Sequence, residues 1–193
     1  MLRIALALLL ALVATSAALA GGGPPSHRVL GTPGPDTLLG TPGADYLAGG
    51  SGDDELYGGR GADWLAGGGG ADHLYGGDGA DHIEGGNTDA LPSPSVHRER
   101  LLGGAASDVL VTAAPGAVLI GGRGDDHLIA ADPKSSCRTE ACVQWTLGGP
   151  GDDQIWTSDG NRDVVDCGTG YDIVHADRND RLSRCERMIR GNS

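Results

Sequence analysis

Four consecutive nonapeptides occupy residues 49–84: GGSGDDELY (49–57), GGRGADWLA (58–66), GGGGADHLY (67–75) and GGDGADHIE (76–84). Each has glycine at positions one, two and four, aspartate at position six, and leucine or isoleucine at position eight. Glycine readily adopts positive φ, so the first six residues predict a tight reversal of the chain. The last three residues predict a short strand whose middle, apolar side chain points inward. Two repeats then complete one turn of a solenoid.

The spacing of the aspartates predicts two acidic edges. Equivalent residues lie eighteen positions apart, and parallel turns stack about 4.8 Å from each other. Asp54 is thereby placed over Asp72 on one edge, while Asp45, Asp63 and Asp81 line the opposite edge. Unit charges 4 Å apart repel by about 4 kcal/mol at the effective dielectric near a protein surface. The stacked aspartates therefore predict a cation between the turns.

Calcium is the cation that these loops favour. It takes about six to eight oxygen ligands in flexible geometry, including carboxylates and backbone carbonyls. Magnesium requires a tight octahedron and keeps its waters, and zinc prefers nitrogen or sulfur ligands. A flexible glycine-rich linker is the alternative interpretation, but it does not explain an apolar residue at every ninth position.

The block resembles the RTX, or hemolysin-type, calcium-binding repeats. The resemblance implies an all-β fold, a parallel β-roll, with calcium held between loops two repeats apart. The predicted side-chain ligands are the sixth-position aspartates of complete and degenerate repeats: Asp36, Asp45, Asp54, Asp63, Asp72, Asp81, Asp108, Asp126, Asp153 and Asp172. Carbonyl oxygens of the second and fourth glycines are predicted to assist: Gly50, Gly52, Gly59, Gly61, Gly68, Gly70, Gly77 and Gly79.

The frame predicts the organisation of the chain. Two interruptions preserve the repeat phase, which predicts that each replaces one turn of the solenoid with a bulged turn. After residue 156 the frame slips by one residue. The predicted parts are a signal peptide (1–20), a linker (21–30), an RTX repeat block (31–86), an irregular loop (87–102), degenerate RTX repeats (103–129), a Cys-containing loop (130–147), RTX repeats (148–175) and a C-terminal cap (176–193).

The first twenty residues are typical of a secretory signal peptide. Arg3 precedes an apolar run, and Ala18-Leu19-Ala20 is a small-x-small cleavage site. A membrane anchor is the alternative, for which the run is short. We therefore expect a secreted, extracellular protein with no membrane span in the mature chain.

Composition limits both partners and core. The formal net charge of -12 disfavours nucleic acid, whose binding depends on neutralised phosphates. The chain has no Phe and 35 Gly, so burial alone stabilises it poorly against the loss of backbone entropy. We expect metal binding and folding to be linked.

Four cysteines in an exported chain predict two disulfides, for which three pairings are possible. We favour Cys137 with Cys142, closing a small loop, and Cys167 with Cys185, which would pin the cap to the last turn. A zinc site built from the four thiolates is the alternative, although the spacings fit zinc ribbons poorly and the compartment is oxidising.

Two further features lie beside the inward residue of the short strands. His73, His82 and His127 occupy the seventh position, which predicts solvated side chains, with a pH switch or a transition-metal face as alternatives. Tyr57 and Tyr75 are eighteen residues apart and are predicted to stack.

No catalytic residue is predicted, because H-E-x-x-H, G-x-S-x-G and space for an enzyme domain outside the repeats are all absent. The predicted function is calcium binding coupled to folding, with no catalysis. The alternative is a calcium-stiffened adhesive or cell-surface scaffold whose irregular loops contact an extracellular partner. A third interpretation is an accessory fragment of a hydrolase.

Overall fold

The computed structural model describes residue 25 and residues 27–86, 99–130 and 143–190, and these residues contain seventeen β-strands and no helix. Nine strands form one parallel sheet in the order β1 (His27–Leu30), β3 (Asp45–Ser51), β5 (Trp64–Gly69), β7 (His82–Gly86), β9 (Val109–Thr112), β11 (His127–Ala130), β13 (Gln154–Trp156), β15 (Ile173–Ala176) and β17 (Arg187–Arg190). Eight form the other, from β2 (Thr37–Leu39) through β4 (Glu55–Arg60), β6 (His73–Asp78), β8 (Arg100–Ala105), β10 (Val118–Arg123), β12 (Trp145–Pro150) and β14 (Val164–Thr169) to β16 (Arg181–Ser183).

The chain alternates between the two sheets at every strand, so each pair of consecutive strands is one turn of a solenoid. Leu47 of β3 pairs with Leu65 of β5, eighteen residues later, and Leu56 of β4 pairs with Leu74 of β6. The predicted parallel β-roll with an eighteen-residue turn is confirmed. In the part of the chain that the structure describes, there is also no helix of the length and apolarity needed to cross a membrane.

The core consists of two rows of eighth-position side chains between the sheets, one row from each sheet. Its largest members are fully buried: Leu47, Leu56, Leu65, Leu74, Ile83, Leu101, Leu110, Leu119, Leu128 and Ile155. Because a strand of this length contributes one large inward side chain, each turn adds only one such residue from each sheet to the core. Most of the remaining structure is loop, so the edges of the roll decide much of its stability.

The two interruptions lengthen loops and do not replace turns, which corrects the prediction from phase. Leu74 of β6 pairs with Leu101 of β8, and Leu119 of β10 pairs with Thr146 of β12, both at a spacing of 27 residues. Each interruption therefore adds nine residues to one loop, while the strand that follows still supplies the inward residue. Strands β8 and β12 accordingly begin inside the segments predicted as loops.

Both ends of the roll carry more strand than the sequence predicts. Strand β1 lies in the predicted linker, and β16 and β17 lie in the predicted cap. Near the C-terminus, Trp145 of β12 pairs with Val164 of β14, a spacing of nineteen that confirms the one-residue slip.

The Cys167–Cys185 disulfide joins β14 to the turn between β16 and β17, with a Cα–Cα distance of 5.1 Å. It confirms the predicted pinning of the cap. Since two of the four thiolates are thus consumed, the alternative of a four-cysteine zinc site is wrong. The predicted Cys137–Cys142 pair lies outside the described residues.

Candidate metal sites

The loops of the roll form two edges that carry different sixth-position residues. The continuous edge consists of the loops that lead into the nine-stranded sheet, and its sixth-position residues are Asp45, Asp63, Asp81, Asp108, Asp126, Asp153, Asp172 and, in the cap, Glu186. The interrupted edge leads into the eight-stranded sheet, and its residues are Asp36, Asp54, Asp72, Glu99, Ala117, Gln144, Asp163 and Asp180. The predicted placement of Asp54 over Asp72, opposite Asp45, Asp63 and Asp81, is confirmed.

One oxygen of each stacked carboxylate joins neighbouring turns. On the continuous edge, Asp63 Oδ1 accepts a hydrogen bond of 2.9 Å from the backbone N–H of Asp45, and Asp81 Oδ1 accepts one from Asp63 at the same distance. The pattern continues through Asp108, Asp126, Asp153 and Asp172 at 2.8 to 2.9 Å. On the interrupted edge it links Asp36, Asp54 and Asp72. These bonds fix the orientation of each carboxylate.

The second oxygen of the same carboxylates is buried and has no hydrogen-bond partner among the described residues. This holds for Oδ2 of Asp54, Asp63, Asp72, Asp81, Asp108, Asp126, Asp153, Asp163 and Asp172. These side chains are at most 3% exposed, so water does not compensate them. A buried acceptor without a donor is costly, and a buried charge without a partner is more so. The row of Oδ2 atoms is therefore a row of candidate cation ligands.

Burial raises the pKa of these carboxyl groups, and the neighbouring aspartates of the column raise it further. The pKa reaches about 7 for Asp81, about 8 for Asp108 and about 7 for Asp126 on the continuous edge. It reaches about 6 for Asp72 and about 8 for Asp163 on the interrupted edge. The folded edges thus favour neutralisation, by a proton or by a cation.

Glycine leaves the space into which these oxygens point. A Cβ added to Gly58 would lie 2.5 Å from Asp63 Oδ2 and 2.7 Å from the carbonyl oxygen of Gly76, one turn later. The second and fourth glycines have positive φ, 112° at Gly50 and 114° at Gly52. The carbonyl oxygens of Gly50 and Gly52 lie against the equivalent glycines of the next turn. Carboxylate and carbonyl oxygens therefore converge between turns, including first-glycine carbonyls that the sequence did not single out.

The first two loops close in a different way. Oδ2 of Asp36 accepts hydrogen bonds from Thr32, through its backbone N–H at 2.5 Å and its hydroxyl at 2.9 Å. Oδ2 of Asp45 accepts the same pair from Thr41, at 2.5 and 3.0 Å. In these Thr-Pro loops, the threonine therefore donates to Oδ2, the carboxylate oxygen that has no donor in the complete repeats.

The middle of the interrupted edge is closed by neutral and acidic side chains of the protein. Glu99 Oε2 accepts a 2.5 Å hydrogen bond from the hydroxyl of Thr112, which itself accepts from the N–H of Ala114 at 3.0 Å. Gln144 Nε2 donates to the carbonyl oxygen of Ala114 at 3.0 Å. Burial raises the pKa of Glu99 to about 7. Thr112 stands where a complete repeat has its first glycine, so its side chain fills part of the cradle.

Sequence reasoning did not assign a site role to the last two acids of the interrupted edge. Oδ1 of Asp180 accepts from the N–H of Asp163 at 3.0 Å, which extends the column into the cap. Oδ2 of Asp180 accepts from the hydroxyl of Thr157 and the N–H of Asp177. The sixth-position frame already contained Asp163, but Asp180 lies only seventeen residues further on. The changed spacing hid it.

The outer faces of the sheets carry the predicted aromatic and histidine features. Tyr57 and Tyr75 stack with ring centroids 4.7 Å apart, as predicted. His82 is not solvated as expected: it is buried, with its ring centroid 4.3 Å from that of Trp64 and Nε2 3.1 Å from Glu84 Oε1. His73 lies on the eight-stranded sheet, so the three histidines do not share one face.

The oxygen atoms at the two edges fit a hard cation that is coordinated by carboxylate and backbone carbonyl oxygens. No group of three or more His, Cys, Asp or Glu side chains with metal-ligating geometry occurs in residues 27–86, 99–130 and 143–190. A cation between turns would combine sixth-position carboxylates with carbonyl oxygens and water, a set that suits calcium. The fold and its edges thus define a parallel β-roll with oxygen-lined, acidic loops.

Comparison with protein families identifies the class more closely. The RTX calcium-binding nonapeptide repeat matches in four copies, at residues 30–65, 57–89, 117–132 and 147–174, which together cover more than half of the chain. The protein therefore belongs to the RTX calcium-binding repeat family, and calcium is the ion that its repeats bind. Comparison with curated protein sequences finds no significant match.

Proposed function

We propose that this protein is a secreted calcium-binding β-roll whose GGxGxD loops coordinate several Ca2+ ions and couple their binding to folding, with no catalysis of its own. The observation that carries the proposal is the row of buried, unpartnered Oδ2 atoms at both edges. In the folded loops those carboxylates are oriented by hydrogen bonds through Oδ1, which leaves Oδ2 as the oxygen available to an ion.

The proposed ligands follow from which Oδ2 atoms are free. They are the sixth-position carboxylates of Asp54, Asp63, Asp72, Asp81, Asp108, Asp126, Asp153 and Asp172, with glycine carbonyls of the same loops. Asp36 and Asp45 are weaker candidates, because threonine already donates to their Oδ2 atoms. Asp163 joins the set on the same ground as the others.

Coupling to folding follows from the energetics of the edges. At neutral pH the unfolded chain keeps its aspartates ionised and hydrated, whereas the folded edges bury them side by side. A calcium ion that binds only the folded loops stabilises the fold by mass action. Extracellular calcium modules bind with dissociation constants of about 0.1 to 1 mM, so the roll orders at calcium levels outside the cell. A disulfide at Cys167–Cys185 fits the same location.

Native mass spectrometry of the purified chain tests the proposal. We expect several calcium ions per chain after equilibration at about 1 mM calcium, and their loss after chelation. Magnesium at the same concentration is the control, and we expect it to leave the protein largely unloaded. A chain that retains no calcium, or that retains magnesium equally well, would contradict the proposal.

A further inference from the structure

The last turn of the roll is basic in an acidic molecule. Arginine recurs at every third position from 178 to 190, and five arginines in this stretch outnumber two acids, Asp180 and Glu186. The whole chain has a formal net charge of -12 with 14 basic residues in total. Positive charge is therefore concentrated at one end of an elongated, negatively charged body.

Four of these five arginines have no ionic partner. Arg184 is bound to Asp166 through two hydrogen bonds, of 2.7 and 2.5 Å. The other four are exposed, and no carboxylate of the described residues lies within 4.0 Å of them: Arg178, Arg181, Arg187 and Arg190. At the opposite end of the roll, by contrast, the guanidinium of Arg28 lies over the ring of Tyr46 at 5.0 Å.

The four arginines surround the end of the roll. Arg187 continues the outward row of the nine-stranded sheet, where it pairs with Ile173, and Arg181 continues that of the eight-stranded sheet, where it pairs with Val164. Arg178 lies in the turn between β15 and β16, and Arg190 ends β17. We call these four residues the arginine collar. Arg100, Arg123 and Arg162 also have no ionic partner among the described residues, but they lie singly along the body of the roll.

Apolar side chains are exposed at the same end. Met188 and Ile189, between two collar arginines, are 43% and 37% exposed, and Tyr171 in the adjacent loop is 55% exposed. Arginine, with its fork of donors, binds phosphate oxygens in pairs, while its stem and neighbouring apolar groups tolerate a nonpolar surface. A basic ring with apolar side chains is typical of contact with the interface of an anionic bilayer. A soluble polyanion offers no partner to the apolar groups.

We propose that the C-terminal end of the roll docks on an anionic phospholipid surface, with the arginine collar on the lipid phosphates and Met188, Ile189 and Tyr171 at the headgroup boundary. The acidic body is repelled by the same surface, so the roll stands on its end. This inference goes beyond calcium binding, and it names a surface to which the calcium-stiffened scaffold attaches.

Vesicle cosedimentation tests the proposal with the full chain at about 0.15 M salt and about 1 mM calcium. Vesicles of phosphatidylcholine with phosphatidylserine are compared with phosphatidylcholine alone. The collar variant carries Arg178→Gln, Arg181→Gln, Arg187→Gln and Arg190→Gln. The control variant has the same change of net charge on the body: Arg60→Gln, Arg100→Gln, Arg123→Gln and Arg162→Gln.

We expect binding only to the vesicles that contain phosphatidylserine. Each arginine near an anionic leaflet contributes roughly fivefold to partition, so the collar variant binds at least about fiftyfold more weakly while the control variant binds like the wild type. The double variant Tyr171→Ser with Ile189→Ser keeps the arginine collar intact. We expect it to bind the anionic vesicles more weakly than the wild type, by a margin that grows as the salt concentration is raised. Circular dichroism in calcium verifies that each variant is folded, and native mass spectrometry verifies that each holds its calcium.

Four outcomes would overturn the proposal. The wild type does not bind the anionic vesicles, although it is folded and calcium-loaded. The collar and control variants lose binding equally, as expected if net charge rather than the position of the arginines decides binding. The chain binds soluble polyphosphate but not vesicles. The collar variant self-associates yet still binds vesicles like the wild type, which would assign the arginines to protection of the open strand edges.

Discussion

The two edges of the roll bury polar side chains between successive turns, and they differ in the groups that can satisfy the buried oxygens. On the continuous edge, seven aspartates stack without a break from Asp45 to Asp172, and Oδ2 is unpartnered in all of them except Asp45. On the interrupted edge, the stack stops after Asp72, and Glu99, Thr112 and Gln144 join by hydrogen bonds that need no ion. The difference shows that a turn of this fold can be closed by a threonine hydroxyl or by a side-chain amide, where the continuous edge instead leaves a carboxylate oxygen available to a cation.

The comparison also indicates where calcium matters most. On the continuous edge, six consecutive Oδ2 atoms without a donor among the described residues depend on an ion or a proton. In the middle of the interrupted edge, Glu99 and Gln144 each make one hydrogen bond within the chain, and their Oε1 atoms are the ones without a partner among the described residues. We therefore expect removal of calcium to loosen the continuous edge first. The predictions below test that asymmetry, from the largest expected effect to the smallest.

Calcium-free protein should become less stable as pH rises. The pKa of buried carboxyl groups such as Asp81, Asp108 and Asp126 is about 7 to 8 in the fold, against about 3.9 in an unfolded chain. The folded state therefore binds more protons than the unfolded state between these values. The stability that these extra protons contribute is fully present below about pH 4 and is lost as pH rises through 6 to 8. Summed over the column, the loss is on the order of several kcal/mol.

Denaturant unfolding of calcium-free protein at about pH 5, together with the strand signal by circular dichroism that remains at about pH 8, measures this effect. Saturating calcium should reverse the slope, because calcium binds the deprotonated carboxylates and acid displaces it. Equal stability at both pH values without calcium would show that the carboxylates of the continuous edge are not protonated in the fold.

Asp108→Asn and Glu99→Gln form a matched pair of neutralising substitutions, one on each edge. An amide at position 108 can still accept from the N–H of Asp81 through its oxygen, but it loses the charge at Oδ2. We expect at least one fewer bound calcium ion and an affinity lower by about tenfold or more. An amide at position 99 can still accept from Thr112, so the calcium count should not change.

Native mass spectrometry and calcium titration compare the two variants. Similar losses of calcium from both would mean that the middle of the interrupted edge also holds an ion. Unchanged calcium binding in the Asp108→Asn variant would mean that the continuous edge does not.

Ala106→Gly should stabilise the continuous edge slightly. Ala106 occupies the fourth position of its loop, where complete repeats have glycine, and its φ is 85°. A side chain in this left-handed region costs about 1 to 2 kcal/mol, so glycine should raise the free energy of unfolding by about 1 kcal/mol. The neighbouring Ala105→Gly, at negative φ, is the control and should lower it by about 0.5 to 1 kcal/mol. Destabilisation by both would show that Ala106 is not strained.

The regular part of this molecule could be predicted from the sequence in detail. The nine-residue period alone gives the parallel roll, the inward file that includes Leu56 and Leu74, and the placement of Asp54 over Asp72. It does so because every strand and loop of the repeat is local, so each unit determines its own shape. The stacked tyrosines followed from the same spacing, whereas the Cys167–Cys185 disulfide was the favoured one of three pairings that the sequence allows.

The exceptions could not be predicted, because they depend on contacts between turns. The interruptions were expected to replace turns, since phase does not reveal whether Leu101 pairs with residue 74 or with a residue of the interruption. Thr41 stands where complete repeats have their second glycine, and the repeat pattern does not reveal that its hydroxyl donates to Asp45. Glu99 and Gln144 break the aspartate pattern and so carried no signal, although they close the turn.

Calcium titration of the purified wild-type chain, followed by far-UV circular dichroism at about pH 7.5, tests the central claim most directly. The account predicts weak strand signal without calcium and a cooperative gain of it at about 0.1 to 1 mM calcium, reversed by chelation. Full strand signal in calcium-free protein that calcium leaves unchanged would contradict it.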